Sequence, residues 1–196
     1  MEEPDLAPGR DLSIDPGQAT LRGTAVSFLL LAVIWVPHWL LHGENAFRVL
    51  FRATGGWWFA PALVAGIVAH EGLHAISWRI AGRLPAGSVG FGVNWKVLMP
   101  FAHPRLPMPA RAYAVGAAVP GVVLGLLPAV AGLATGAGAW SGWGAIFTAA
   151  AAGDLLVLHS LRGLPGATPV RDHPTRVGCE VVGSADPAAG FDGRHR

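Results

Sequence analysis

Apolar residues in this chain come in runs longer than a soluble core helix needs. One run extends from about Gly23 through SFLLLAVIWV to His42 without an Asp, Glu, Lys or Arg. Between Arg52 and Arg79 the only charged residue is Glu71, and between Arg111 and Arg162 it is Asp154. A hydrocarbon core of ~30 Å is crossed by about 20 helical residues, so the first two stretches hold one span each and the third holds two. The predicted spans are about 23–42, 58–80, 112–134 and 141–162, with ATGAGAWSGW supplying the turn between the last two. Pro120 and Pro128 fall inside the third span, where neighbouring helices in a bundle can satisfy the carbonyls they free. In the loop 84–109, Val89, Phe91, Val93, Trp95 and Val97 alternate with small or polar residues, a period of two that predicts a strand or hairpin. The expected fold is an all-α membrane protein: four transmembrane helices with a short cytoplasmic β-strand or hairpin insertion between helices 2 and 3. Residues 1–20 read as a flexible polar lead-in, 21–165 as the membrane domain, and 166–196 as a cytoplasmic tail with one strand-like run near VGCEVVG.

Composition supports the membrane assignment. Of 196 residues 52% are hydrophobic and 13% charged, with a mean hydropathy of +0.45. A soluble chain carries about 25% charged residues, so this one lacks the charge to cover a water-facing surface. A net charge of +2 and the absence of any RNA- or DNA-binding signature exclude a nucleic-acid partner. The lone Cys179 excludes a disulfide framework and a cysteine zinc ribbon. With the N-terminus in the cytoplasm, the inner segments hold 12 basic residues and the outer ones only Arg48 and Arg52, the bias expected of a multi-pass cell-membrane protein with both termini inside. Trp35, Trp39, Trp57, Trp58, Trp140 and Trp143 fall near the outer ends of the spans, as an aromatic belt does. The start MEEPDLAPGR lacks a basic signal-peptide region, so the first span is expected to be retained.

The candidate chemistry lies inside the second span, where AHEGLHAISW places His70, Glu71 and His74. Residues i and i+4 share a helix face, so both imidazoles can reach one ion, and Glu71 can serve as general base toward a water at an open coordination position. The pattern H-E-x-x-H arises by chance roughly 0.008 times in a chain of this composition. An ionisable side chain at mid-bilayer costs ~2.5 kcal/mol or more on insertion scales, which marks a functional position. The alternative is a helix whose His and Glu only bond neighbouring helices. Asp154, in TAAAAGDLLVL, is the other ionised group well inside the bundle and is the candidate third ligand. His70 and His74 lie 12 and 16 residues after Trp58, and Asp154 lies 11 after Trp143, so their depths are comparable. One cation between them explains two costly groups at one depth; an Asp bonded to Ser or backbone is the alternative.

Other residues fit less well. His38 and His42 form another i, i+4 pair but without a carboxylate, and read as interfacial. His103 and His159 are candidates for orienting a ligand or a substrate carbonyl, and Asp172 for pairing with an Arg that docks the tail.

HEGLH in a span, a following FG-containing strand, AHP, Pro120 in the next span, AGD in the last and a terminal RDHPTRVG together resemble the zincin peptidases classed by a domain of unknown function, a family of bacterial membrane proteins. The resemblance covers roughly residues 60–183. These proteins are similar in plan to the site-2 intramembrane metalloproteases, whose ligand helix carries Leu-Asp-Gly with an upstream Asn and Pro; here Gly153 precedes Asp154 and no such Asn is present. The resemblance implies one Zn²⁺ ion on His70, His74 and Asp154, Glu71 as catalytic acid/base, and hydrolysis of a membrane-associated protein or peptide. The strand Val89, Phe91, Val93, Trp95 is the candidate surface on which an extended substrate adds as a strand. A metal transporter or sensor, or an inactive scaffold of the same fold, is the competing expectation.

Overall fold

The computed structural model describes residues 8–43, 55–95 and 99–182. Residues 1–7 of the lead-in, Arg48, Arg52, Val97 and the tail from 183 onward lie outside the described residues. Helix α1 (Pro16–His42) begins well before the apolar run because it has a local start signal. The Asp15 carboxylate accepts from the backbone N–H groups of Gly17 and Gln18, and Pro16 occupies the first helical position. Helix α2 (Phe59–Ala81) turns Val64, Val68, Ile76 and Ile80 outward and buries Gly66, His70, His74, Ala75 and Trp78. Its polar groups face inward and its aliphatic ones outward, the reverse of a soluble helix and the arrangement a lipid solvent requires.

The third span runs without a gap from Ala110 to Thr135. It consists of α3 (Ala110–Pro120), a π-helical turn (Gly121–Leu126) and α4 (Leu127–Thr135). The wider π turn directly follows the buried Pro120, whose ring displaces the preceding carbonyl and whose nitrogen has no proton to donate. The fourth span was expected as one helix and is two: α5 (Gly138–Ala150) and α6 (Ala152–Ser160), bent by 46° at Ala151. Among the described residues three helices are long and apolar enough to cross a bilayer, or four if the bent pair counts as one span. Small residues let the last two spans touch backbone to backbone. A Cβ on Gly132 would meet the Ser141 backbone at 2.3 Å, and one on Gly144 the Ala129 backbone at 2.3 Å.

Two small sheets complete the molecule. The expected hairpin is present as β2 (Val89–Asn94) and β3 (Met99–Pro104), antiparallel with Phe91 opposite Ala102. The second sheet is antiparallel in the order β1-β6-β5-β4, from β1 (Pro8–Asp11), β4 (Met108–Pro109), β5 (Pro169–Asp172) and β6 (Cys179–Val182). Only β6, within VGCEVVG, was foreseen. From Pro8 onward the lead-in expected to be flexible is a strand and the first turns of α1, so both described ends of the chain pair with each other. This sheet covers one end of the bundle, where Val170 and Cys179 pack with Met108, Tyr113, Val157, Leu161 and Trp78.

Among the described residues Asp172 pairs with no arginine. Its carboxylate accepts a 2.5 Å hydrogen bond from the Tyr113 hydroxyl of α3, while the neighbouring Arg171 binds Glu180 across the sheet at 2.8 Å. Burial pushes the Asp172 carboxyl up to about 6 against the opposing effect of that hydrogen bond, and pushes the adjacent Cys179 thiol up to about 12. The folded sheet therefore holds the Asp172 proton more tightly than the unfolded chain. Stability from this source is complete below the ordinary value of 3.8 and is lost as pH rises through about 6. Hydrogen exchange of the β5 amides, corrected for intrinsic rates, should show a local opening free energy that falls by about 3 kcal/mol across that window. Asp172→Asn should flatten the dependence; an unchanged slope in the variant would assign it to another group.

Candidate metal centre

Helical periodicity and one break in a helix assemble the centre. His70 stands at the midpoint of α2 and His74 one turn later, both buried, with ring centroids 4.9 Å apart. Asp154 reaches them because α5 ends at Ala150 and the chain breaks at Ala151: the restart places Asp154 in the first turn of α6, where the helix N-terminus favours a carboxylate. His70 Nε2 lies 3.3 Å from Asp154 Oδ2, and His74 Nε2 lies 3.4 Å from Oδ1. One donor atom from each of the three residues falls within 4.8 Å of the others, and no other such group of three occurs among the described residues.

The separations identify what the donors fit. Ligands held at ~2.0–2.1 Å around a tetrahedral ion are ~3.3–3.4 Å apart, and each imidazole lies at about that distance from one oxygen of the Asp154 carboxylate. Asp154 Oδ2 is fully buried with no hydrogen-bond partner, an expensive arrangement for a carboxylate oxygen unless a cation meets it. Two imidazoles and one carboxylate are a donor set suited to Zn²⁺, with a fourth position left open.

The surroundings fix the His74 ring. Its Nδ1 is 2.8 Å from the Gly116 carbonyl of α3, which can only accept, so Nδ1 carries the proton and Nε2 presents its lone pair to the centre. The ring stacks on Trp78 at 4.9 Å and 15°, and Trp78 stacks on Tyr113 at 5.7 Å and 23° while donating from Nε1 to the Tyr113 carbonyl. Gly116 allows this, since a Cβ there would lie 2.0 Å from the indole. Gly66 similarly admits Phe147, whose ring lies 6.5 Å from that of His70.

Glu71 is half-buried, and its Oε2 accepts a 2.6 Å hydrogen bond from the backbone N–H of Ala102. The loop expected on the cytoplasmic side thus folds back until β3 touches a residue at the middle of a membrane helix. Because the Ala102 N–H points away from β2, Ala102 and Phe91 form a non-hydrogen-bonded pair, and the Phe91 and Val93 backbone groups point to the outer edge of β2. Phe91, Val93 and Trp95 are exposed and Val89 is half-buried. Pro100 and Pro104 share the outward-pointing register of β3 with Ala102, so that edge has one amide to donate and Glu71 takes it.

The other candidates lie elsewhere. His38 is fully buried rather than interfacial, with Nδ1 2.9 Å from Ser141 Oγ, and His42 donates from Nε2 to the Leu133 carbonyl at 2.8 Å. These two rings pin α1 to α4 and α5. His103 packs over Gly90 in the hairpin, and His159 is exposed near the end of α6; neither joins the donor set. The parts that sequence reasoning missed are the Ala102 amide, the Gly116 carbonyl and the Trp78–Tyr113 stack. Trp78 alone carried a signal, since it stands four residues after His74 on the same helix face.

Comparison with known proteins agrees with this geometry. Residues 63–168, just over half of the chain and including all three donors and Glu71, match the model of the domain family DUF3267, described as "Putative zincin peptidase". No curated protein and no solved structure matches the chain.

Proposed function

The chain belongs to that zincin peptidase family, and from this premise we propose that it is a membrane-embedded zinc peptidase that hydrolyses a peptide bond in a membrane-associated protein. The observation that carries the reading is the His70–His74–Asp154 donor set, whose ligand atoms lie within 4.8 Å of one another, with Glu71 next to His70 on the same helix. His70 Nε2, His74 Nε2 and an Asp154 oxygen would hold the ion. A zinc ion held there would supply Lewis acidity, lowering the pKa of water toward neutrality and polarising a carbonyl oxygen. Glu71 handles the proton. The Ala102 amide pins Oε2 and leaves Oε1 to take a proton from the attacking water and pass it to the departing amine nitrogen. The surrounding helices exclude bulk water, so the carboxylate acts in a medium where its charge and orientation count for more than in solution.

A helix hides its carbonyls, so the substrate must be extended where it is cut. The outer edge of β2, with the backbone groups of Phe91 and Val93 unpaired by either sheet, is the edge suited to receive it. Val89, Phe91, Val93 and Trp95 offer apolar side chains to a lipid-derived segment, and substrate residues beyond the paired stretch reach the ion. Ion transport would call for further charged groups along the spans, and between Arg52 and Arg79 and between Arg111 and Arg162 the chain supplies Glu71 and Asp154 alone, which favours hydrolysis.

Two variants test the proposal. Glu71→Gln should keep about one zinc per chain and lower peptide-bond cleavage by at least ~10²-fold, the scale of a general base; full activity would eliminate Glu71 from proton transfer. Val93→Pro removes an outward amide without removing a β2–β3 hydrogen bond, and should raise KM about fivefold with kcat little changed, the worth of one edge hydrogen bond. Unaltered kinetics would locate the substrate away from β2.

A further inference from the structure

The sheet formed by both ends of the chain is joined to the metal centre by one continuous series of contacts. The Asp172 carboxylate of β5 accepts from the Tyr113 hydroxyl. The Tyr113 ring is 3% exposed and lies against Trp78, whose indole nitrogen returns to the Tyr113 carbonyl. Trp78 is the plate on which His74 is stacked, and one turn along α3 from Tyr113 the Gly116 carbonyl accepts a hydrogen bond from His74 Nδ1.

Both constraints on the His74 ring depend on where α3 sits against α2. Stacking fixes the ring plane, and the Gly116 bond fixes rotation within it. The Trp78 bond to the Tyr113 carbonyl ties α2 to α3. Tyr113 also packs in one cluster with Val170 and Cys179 of the terminal sheet, and the Asp172 carboxylate is its polar attachment to that sheet. A buried tyrosine hydroxyl without an acceptor is unfavourable, so loss of Asp172 drives the ring to move toward another partner and disturbs the column beneath it. His70 Nδ1 is buried without a corresponding hydrogen bond. Of the two imidazoles, His74 is therefore the one whose rotation a backbone acceptor fixes.

We infer that Tyr113 and Asp172 are positioning residues for His74, so that attachment of the terminal sheet sets how tightly the centre holds its ion. The inference rests on the reading of His70, His74 and Asp154 as ligands. It extends that reading to a part of the chain distant from the chemistry, and makes the union of the two chain ends in one sheet a determinant of metal affinity.

The test uses the full-length protein in detergent micelles and two readouts. One is zinc affinity by competition with a chelator. The other is the pair of ¹⁵N imidazole resonances of His74 in metal-free protein, assigned by their loss in His74→Gln. Tyr113→Phe and Asp172→Ala should each weaken zinc binding about tenfold, as loss of an orienting partner does, and should move the His74 resonances from a single Nδ1–H tautomer toward a mixture. Asp172→Asn, which keeps a carbonyl acceptor for the hydroxyl, should restore both readouts. Glu180→Gln, which removes the Arg171–Glu180 pair from the same sheet, should leave both at wild-type values. Wild-type resonances and affinity in Asp172→Ala would overturn the inference, as would a Glu180→Gln protein that changes as much. If the wild type binds no zinc, the ligand reading fails, while the metal-free resonances still decide whether Asp172 positions the ring.

Discussion

A carboxylate inside an apolar bundle must find compensation close by, because water is excluded and helical backbone has already paired its own polar groups. Asp154 meets that demand in a specific way. One oxygen faces each of two imidazoles, at separations too long for strong hydrogen bonds and suited to ligands of a shared small cation. Most of the fold's irregularities serve to bring these three groups together. The break at Ala151 turns the last helix so that its first turn aims at α2. The π turn after Pro120 and the glycines beyond it let the third span lie flush against the fourth, while Gly116 lets Trp78 lie over α3 and support His74.

The hairpin answers a second demand. Irregular backbone is tolerated at membrane depth only where protein or a water-filled cavity satisfies its polar groups. At β3 the prolines at 100 and 104 have no amide to satisfy, and the one outward amide between them, at Ala102, is taken by Glu71. The same contact that makes the strand acceptable there also holds the carboxylate in place. The strand and the acid thus stabilise each other, and the reactive side of the centre is built from two segments distant in sequence.

Much of this was legible in the chain. Long uncharged runs locate the spans, because lipid imposes a length and a composition that few residues can violate. His70, Glu71, His74 and Asp154 stood out because ionisable residues are scarce there, and the structure brings His70, His74 and Asp154 to one point. The less regular features were hidden. A run of AAAAG does not reveal a bend at Ala151, since alanine is at home in a continuous helix. The terminal sheet was missed because β1, β4 and β5 are two to four residues long, too short for a period of two to register, and because β1 pairs with the far end of the chain. Neither the Gly116 carbonyl nor the Ala102 amide carries a side chain that could announce its role. His38 was misjudged because proximity to a helix end does not say which face looks inward.

The central claim is that His70, His74 and Asp154 share one divalent ion. X-ray absorption at the zinc edge, on protein purified in detergent and loaded to one equivalent, examines it most directly. The account predicts two imidazole nitrogens and light oxygen donors at ~2.0–2.1 Å, with one imidazole lost in His74→Gln. A spectrum without imidazole scattering, or one unaltered by that substitution, would contradict it.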